Sequence, residues 1–557
     1  MGAKNQVLQG VAKATRKKSA RGRAARLFSS TPQPDTQNRD GFPAYTHDLR
    51  ANVGRLALTG LIRDRFYTDK EEQAAEMGRL FVECAKSHPE FLLKAAKASR
   101  DSQLKLAPIV ALVAAASHAP DVAAQHEAFI VSLLSTLNPN TLLQYVELFR
   151  TKSFGKGFGS RQQRWIRSVF DNVSDHKLET WTLKFGPALR TLGLLVHLKT
   201  DRPAFNYVMK GDGKGTPITD RQKAANAARL IKDPMKFAQH LVDNDIPWDC
   251  VKAFVPNSPV AFASMMMNAG INAVLLNTRS YEAHRVFESP EALAWYKDWA
   301  VNVMPKGRVL PLDIMKTWQH VEHPAVKSAL LDGLAALIER YSTDEDIRSD
   351  ARRAVLMDIS GSMGGYPLQE QGVLAGALLL KATIPVFAAA FSHVLHLEGT
   401  DEFLGQDING HARMRRRGWQ GNQCTPCPQI TGRSDWRQLL TELMGMYVTG
   451  GTDTGIGIAH MCSQHIVADE IFLFTDEQQN RGRGAAEMFR LYRKQVSPQA
   501  KLVIVNTSGN PWHNFSIDEP GVICFNAVHP QIFRMADNLS RDPVEAIESI
   551  SLKPPLQ

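Results

Sequence analysis

The chain has 557 residues, of which 44% are hydrophobic and 22% are charged, and its formal net charge is +10. Single hydrophobic cores rarely grow beyond ~250–300 residues, so this length predicts two or more domains of ordinary globular composition. No run of about 18 apolar residues occurs, which excludes a transmembrane helix, and the positive charge favours an anionic partner such as nucleic acid or an anionic membrane surface.

The chain begins with a basic arm, residues 1–40, which we expect to be disordered. Eight lysine and arginine residues precede Asp35, the first acidic residue. A block of like charges repels itself and often contacts nucleic acid electrostatically. A solvated tail without a dedicated partner and an arginine- and serine-rich transit peptide are the alternatives.

A helical region follows over residues 41–350. Apolar residues recur at three- and four-residue spacing in segments such as "EEQAAEMGRLFVECAKS" and "HPAVKSALLDGLAALIERY", with short polar connectors between them. Many antiparallel helices in succession predict a stacked-helix solenoid of the HEAT type. No fixed period is visible, so we expect irregular repeats.

The pattern changes after residue 350 to short apolar runs that alternate with helical stretches. This alternation predicts a doubly wound α/β domain over residues 351–557, with a mostly parallel sheet covered on both faces and an insertion at about 400–434. Ligands of such domains bind beyond the carboxyl ends of the strands.

Oxygen-bearing side chains follow three segments of this α/β domain. The first strand leads into "DISGSM", a loop carries "GGTD", and a later strand ends in "FTD". A hard cation such as Mg²⁺ prefers about six oxygen ligands and keeps some of its waters. We predict a divalent cation site, with an acidic group of a partner as its last ligand, formed by Asp358, Ser360, Ser362, Thr452 and Asp476. The alternative is that Asp358 and Ser360 cap the next helix.

A basic segment in the helical region contains no acidic residue from 152 to 167. Three of its arginines recur at helical spacing, so one helix face is suited to follow a phosphate backbone. Phe154, Phe158 or Trp165 are candidates for stacking on bases, and the alternative is a solvated basic face with Trp165 in the core. The predicted RNA-binding residues of the segment are Lys152, Lys156, Arg161, Arg164 and Arg167.

The six cysteines are too sparse for a disulfide framework, so we expect a reducing compartment, the cytoplasm. Only Cys424 and Cys427 are close together, as a lone CxxC pair. A zinc site needs four ligands, and His411 is the one further candidate nearby. A plain loop is therefore favoured over a zinc site or a redox pair.

These motifs resemble known families. The Asp-x-Ser-x-Ser of residues 358–362, with Thr452 and Asp476 in order, resembles the metal-ion-dependent adhesion site of von Willebrand factor type A domains. A long helical region before such a domain resembles the TROVE-domain Ro ribonucleoprotein family, over about residues 42–551. "FGKGFGSRQQRWIRSVF" and "LRTLGLLVHLKTDRPAFNYVMKG" resemble the central basic segment of that family and its His-x-Lys, here His197 and Lys199.

The resemblance implies a closed ring of HEAT-like repeats around a positively charged hole, followed by the von Willebrand A-like domain. It implies that single-stranded 3′ ends of misfolded RNA enter the hole, that a noncoding Y-like RNA binds outside, and that an exoribonuclease is a further partner. His197 and Lys199 would then contact RNA. The implied role is a non-enzymatic, monomeric, cytoplasmic scaffold in RNA quality control or processing. One departure is "RVLP" at 308–311, where the family usually has Arg-x-His-Pro.

Two other functions stay open. The first is a metal-dependent protein-interaction module that docks an acidic partner. The second is a metal-dependent nuclease, although nucleases more often cluster several carboxylates around two metals. The sequence contains no G-x-S-x-G or H-E-x-x-H motif, so we expect no enzyme of those classes.

Overall fold

The computed structural model divides the chain into two compact units, Met1–Ala107 with Tyr341–Ile550, and Pro108–Arg340 with Ser551–Gln557. The structure describes the following residues: 34–38, 40–60, 70–102, 104–151, 154–155, 157–209, 218–307, 309, 311–342, 351–358, 360–363, 384–391, 395–397, 402–406, 412–415, 418–419, 451–480, 482–507, 512–516, 519–526 and 543–553.

The first unit begins with two short strands and three helices. These are β1 (Thr36–Gln37), β2 (Pro43–Thr46), α1 (Leu49–Thr59), α2 (Lys70–Ser87) and α3 (Pro89–Asp101). Asp48 caps α1, because its side chain accepts a hydrogen bond from the Ala51 N–H at 2.8 Å.

The second unit is helical in its described residues. Its helices are α4 (Ala107–His118), α5 (Pro120–Gln125), α6 (Glu127–Ser135), α7 (Pro139–Arg150), α8 (Ser160–Asn172), α9 (Asp175–Leu195), α10 (Pro203–Met209), α11 (Asp220–Ala227), α12 (Pro234–Asp243), α13 (Pro259–Met267), α14 (Ile271–Ala283), α15 (Pro290–Asp298), α16 (Pro311–His320) and α17 (Pro324–Ser342).

Local sequence signals explain where several of these helices begin. Proline stands in the first turn of α7, α12 and α15, where its missing N–H costs no hydrogen bond. The residue before each helix accepts a hydrogen bond from a backbone N–H in the first turn; these residues are Asn138, Asp233 and Ser289. Helices near in sequence pack together, as α6 with α8, α7 with α9, and α12 with α13 do. The prediction of helical repeats is confirmed.

The remaining strands and helices belong to the first unit. The strands are β3 (Arg352–Asp358), β4 (Ile384–Phe391), β5 (Leu395–Leu397), β6 (Glu402–Gln406), β7 (Ala412–Arg415), β8 (Gly418–Trp419), β9 (Glu470–Thr475), β10 (Lys501–Asn506), β11 (Trp512–His513) and β12 (Val522–Asn526). The helices are α18 (Ile456–Ser463), α19 (Ala485–Gln495) and α20 (Pro543–Glu548).

The main sheet of the described residues has the order β12-β10-β9-β3-β4-β5-β8. The strands from β12 to β4 are parallel, whereas β5 and β8 are antiparallel additions at one edge. In chain order the parallel strands read 5-4-3-1-2, which is a doubly wound arrangement with its switch point between β3 and β9. The α/β prediction is confirmed, and part of the predicted insertion is strand, since β6 pairs with β7.

The N-terminal segment packs on the α/β part of this unit. β2 pairs with β1 and with β11, and α1 contacts β12 and α20. The unit therefore joins residues before 108, which we assigned to the helical domain 41–350, to the domain 351–557. It also includes β1, which we had placed in the arm 1–40. The cause is that helical periodicity predicts an apolar face but does not say which surface covers it.

Candidate functional site

The predicted cation ligands lie at the carboxyl ends of β3 and β9. These strands are neighbours at the switch point of the sheet, where a crevice for ligands is expected. All five residues are buried, with exposed fractions between 0% and 9%; they are Asp358, Ser360, Ser362, Thr452 and Asp476.

Short contacts join four of these side chains. The Asp358 carboxylate accepts hydrogen bonds from the Ser360 N–H at 2.8 Å and from the Thr475 hydroxyl at 2.7 Å. The Ser360 and Ser362 hydroxyl oxygens are 3.4 Å apart, and Ser362 hydrogen-bonds to Asp476. The hydrogen bond from the Ser360 N–H to Asp358 is also expected if Asp358 caps the next helix.

Thr452 is held against the loop that carries Asp476. Its N–H donates to the Asn480 side chain at 2.8 Å, and its carbonyl accepts from the Asn480 N–H at 3.1 Å. The structure thus joins Thr452 to the loop after β9, and the Asp476 of that loop to Ser362.

Burial raises the pKa of both carboxyl groups of the site, and the charge of Asp476 also acts on Asp358. Burial and the charge of Asp476 raise the pKa of Asp358 to about 7, and burial raises the pKa of Asp476. A bound divalent cation would offset this repulsion, and the donor set consists of hydroxyl and carboxylate oxygens. The residues present therefore fit a hard cation such as Mg²⁺.

Raising the pH is expected to destabilise the protein in EDTA. Between the ordinary pKa of an aspartate, about 4, and about 7, the native Asp358 holds a proton that the unfolded chain has released. Stability from this group is therefore present at low pH and is lost as the pH rises towards 7. Thermal unfolding of the wild type and of Asp358→Asn between pH 5 and pH 8 checks this, because the variant should show a weaker decline. Parallel pH profiles would contradict it.

A second buried cluster adjoins this loop. Glu477, His513 and Cys524 place Oε1, Nδ1 and Sγ within 4.8 Å of one another, which is compatible with a metal site. However, Arg55 Nη2 lies 2.9 Å from His513 Nε2 and must donate to it. The His513 proton is therefore on Nδ1, which donates to Glu477 Oε1 at 3.0 Å. We interpret the cluster as a buried Arg-His-Glu relay and not as a metal site, because His513 Nδ1, the atom that would bind a metal, carries a proton.

The predicted basic residues of α8 differ in their exposure and contacts. Arg164 is exposed and forms a bidentate ion pair with Glu127, at 2.7 and 3.0 Å. Arg161 is partly buried and donates to the Pro120 carbonyl at 2.7 Å. Arg167 is also partly buried. Helix α8 thus presents its positive charge beside an acidic residue of α6, which the sequence segment alone did not show.

The aromatic candidates for base stacking are mostly in the core. Trp165 is fully buried and Phe154 is 2% exposed, so neither offers a ring face to a base. The stacking hypothesis is therefore wrong for these two: Trp165 belongs to the buried face of α8, and Phe154 is buried before that helix begins. Phe158 is partly exposed. The alternative that placed Trp165 in the core is confirmed.

His197 and Lys199 follow α9 and are exposed. Among the residues that the structure describes, neither side chain makes a hydrogen bond or an ion pair, and His197 adopts a left-handed φ of 49°. Lys152, Lys156, Cys424 and Cys427 lie outside the described residues. His197 and Lys199 are thus available to a ligand, and their role stays a prediction.

No protein-family model matches the chain, and no curated protein matches it. Solved structures do match, and among them is the crystal structure of the Ro (RSR) protein of Deinococcus radiodurans. The match has a TM-score of 0.61 and 16% sequence identity, and it covers 89% of this chain and 100% of that chain. The chain has the fold of a bacterial Ro protein. Because the identity is low, the Ro fold is what this comparison shows.

The sequence predicted the Ro fold and the three motif segments but missed the buried relay. Arg55, Glu477 and His513 lie on separate segments, and Arg55 stands hundreds of residues before the other two. The one local sequence signal for the relay was Glu477, an acidic residue directly after Asp476 at the end of a predicted strand. Within the described residues, no helix is both long and apolar enough to cross a membrane.

Proposed function

We propose that the chain is a non-enzymatic RNA-binding scaffold of the Ro type that works in the cytoplasm. Its RNA ligands would be a structured, Y-like noncoding RNA and the single-stranded 3′ ends of misfolded RNA, in RNA quality control or processing beside an exoribonuclease. The observation that carries the proposal is the Ro fold over 89% of the chain. The net charge of +10 supports an anionic ligand.

The proposed RNA contacts are on the second unit. They comprise Arg161, Arg164 and Arg167 of α8, together with Lys152, Lys156, His197 and Lys199. The exposed Arg164 side chain is oriented by Glu127, and an RNA phosphate would exchange with that carboxylate. Such contacts to phosphates depend on salt but not on base sequence.

The cation site is the second part of the proposal. Asp358, Ser360, Ser362, Thr452 and Asp476 would hold Mg²⁺, directly or through water, and the bound ion would supply positive charge to an acidic group of a protein partner. The two adjacent buried carboxyl groups support this assignment. We propose that the protein partner binds at the cation site and that RNA binds elsewhere, at the residues of the second unit.

Fluorescence anisotropy with two labelled RNAs tests the scaffold proposal. One RNA is a hairpin with a single-stranded 3′ tail, and the other is the same hairpin with a blunt end. We expect tighter binding of the tailed RNA, a steep loss of affinity with rising salt, and unchanged affinity in Asp358→Ala. Equal weak binding of both RNAs, or binding that Asp358→Ala abolishes, would contradict the separation of RNA and cation sites.

The nuclease alternative is tested in the same samples. We expect the length of the RNA to stay constant during incubation of the protein with Mg²⁺. Shortening that Asp476→Ala abolishes would establish the nuclease in place of the scaffold.

A further inference from the structure

The loop of residues 476–480 combines the proposed cation site with the buried relay. Asp476 is a proposed ligand, Glu477 belongs to the relay, and Asn480 holds Thr452, another proposed ligand. Glu477 has a left-handed φ of 58°, a conformation that costs a non-glycine residue free energy unless its surroundings hold it. The contacts that hold residues 476–480 in this conformation therefore affect the positions of the proposed cation ligands.

Two hydrogen bonds to this loop come from residues near the N-terminal end of the sequence. The Asn38 side-chain amide donates to the Gln479 carbonyl at 2.7 Å, in a buried contact. Asn480 donates to the Asp40 carboxylate at 3.2 Å. Asn38 and Asp40, on either side of residue 39 after β1, thus bind the backbone and a side chain of residues 476–480, which we call the cation loop.

Arg55 of α1 provides a third connection, through histidine. The guanidinium donates to Nε2 of His513 at 2.9 Å and to Nδ1 of His47, whose Nε2–H donates to the Phe515 carbonyl at 2.8 Å. The two imidazole rings stack with centroids 4.0 Å apart. Both histidines are neutral, because burial lowers their pKa values.

The relay ends on the carboxyl group of Glu477, which is fully buried. Its oxygens accept hydrogen bonds from Asn506 Nδ2 at 2.6 Å, from His513 Nδ1 at 3.0 Å and from the Asn514 N–H at 2.8 Å. Burial raises the pKa of this carboxyl group, whereas the Asn514 N–H and the positive charge of Arg55 act in the opposite direction. The Cys524 Sγ also lies 3.5 Å from Oε1, so four groups contact this carboxyl group. Arg55 is thus connected to Glu477 through neutral His513, which makes one of these hydrogen bonds with each ring nitrogen.

We propose that the N-terminal segment, residues 34–59, is a working part of the cation site, in which Arg55 is a positioning residue. Arg55 acts through His513 and Glu477 on Asp476, and Asn38 and Asp40 act on the same loop from the other side. The affinity of the site for a divalent cation therefore depends on side chains that lie more than four hundred residues before the cation loop. This inference rests on the proposed cation site.

Removing Arg55 leaves the buried nitrogens His513 Nε2 and His47 Nδ1 without their donor, so the imidazole that donates to Glu477 loses its support and the loop should leave its present geometry. Loss of an outer-shell partner of a metal site typically weakens metal affinity about 10–100-fold. We expect a weakening in this range for Arg55→Met and a similar change for Asn38→Leu. Arg50→Met is the matched control, because Arg50 lies on the same helix, is 43% exposed and pairs with Glu548 at 3.8 Å.

Mn²⁺ is the probe, and its binding to the full chain is followed by electron paramagnetic resonance. Circular dichroism first establishes that each variant is folded. Weaker Mn²⁺ binding in Arg55→Met, with wild-type binding in Arg50→Met, supports the proposal. Unchanged binding in a folded Arg55→Met overturns it and leaves the cation site standing. Failure of the wild type to bind Mn²⁺ more tightly than Asp358→Asn overturns both the site and this inference.

Hydrogen exchange of the wild type keeps the proposal testable if Arg55→Met does not fold. Coupling between two sites is reciprocal, so a cation that the segment helps to bind must in turn stabilise the segment. We expect saturating Mn²⁺ to slow amide exchange in residues 40–59, and to leave exchange in α13 and α14 unchanged. Identical exchange of residues 40–59 with and without bound Mn²⁺ would overturn the inference.

Discussion

Replacing Glu470 by alanine is expected to lower the free energy of unfolding of the α/β unit by about 3–5 kcal/mol, which is the usual cost of leaving a buried charge unpaired. Glu470 at the start of β9 pairs with Arg353 of β3 at 2.9 Å, and their side chains are only 4% and 2% exposed. The two residues face each other in the parallel register. Urea unfolding, followed by hydrogen exchange of β3 and β9, measures the loss.

Two controls separate this effect from a general loss of charge. Glu487→Ala removes an exposed ion pair with Arg483, at 3.8 Å, and should cost less than about 1 kcal/mol. Replacing both Arg353 and Glu470 by apolar residues should recover most of the stability, since neither buried charge is then present. A Glu470→Ala variant as stable as Glu487→Ala would contradict our account of this pair.

Reversing the charge of Arg161 and Arg164 together is expected to weaken RNA binding by about 100-fold near 0.1 M salt. The reversal removes two attractions to RNA phosphates and adds two repulsions. For single-stranded RNA, the slope of log affinity against log salt concentration should become shallower by about 0.7 for each phosphate that is no longer neutralised. Anisotropy titrations from low to high salt give both the affinity and the slope.

A second double reversal with the same change in net charge serves as the control. Lys86→Glu with Lys494→Glu alters exposed residues of α2 and α19, in the other unit. We expect it to reduce RNA affinity only slightly, through the weaker long-range field. Equal reductions of affinity in both double variants would mean that net charge, and not the face of α8, determines binding.

How far the sequence predicted this molecule depends on how local each signal is. Asp358 ends one strand, Ser360 and Ser362 follow it, and Asp476 follows another strand. The rule that parallel strands end at one edge of a sheet therefore placed them together. The same reasoning could not pair Arg353 with Glu470, because the register between strands is not written in either strand. The helical periodicity located the helices of the second unit for the same local reason.

Contacts between segments that are far apart in the sequence could not be predicted from local sequence patterns. Helix α1 has an apolar face like its neighbours, but besides α2 and α3 it also packs on β12 and α20. Arg55 is 3% exposed and bound to two histidines, one of them 458 residues away, which no local pattern indicates. Likewise, the basic face of α8 is partly neutralised by Glu127, which lies on another helix.

Sequencing of the RNA that co-purifies with the full chain tests the central claim most directly. The Ro-type scaffold predicts enrichment of one or a few structured noncoding RNAs over the input RNA, and loss of that enrichment in the Arg161/Arg164 double reversal. A population of random RNA fragments, equal in the wild type and in the double reversal, would contradict it.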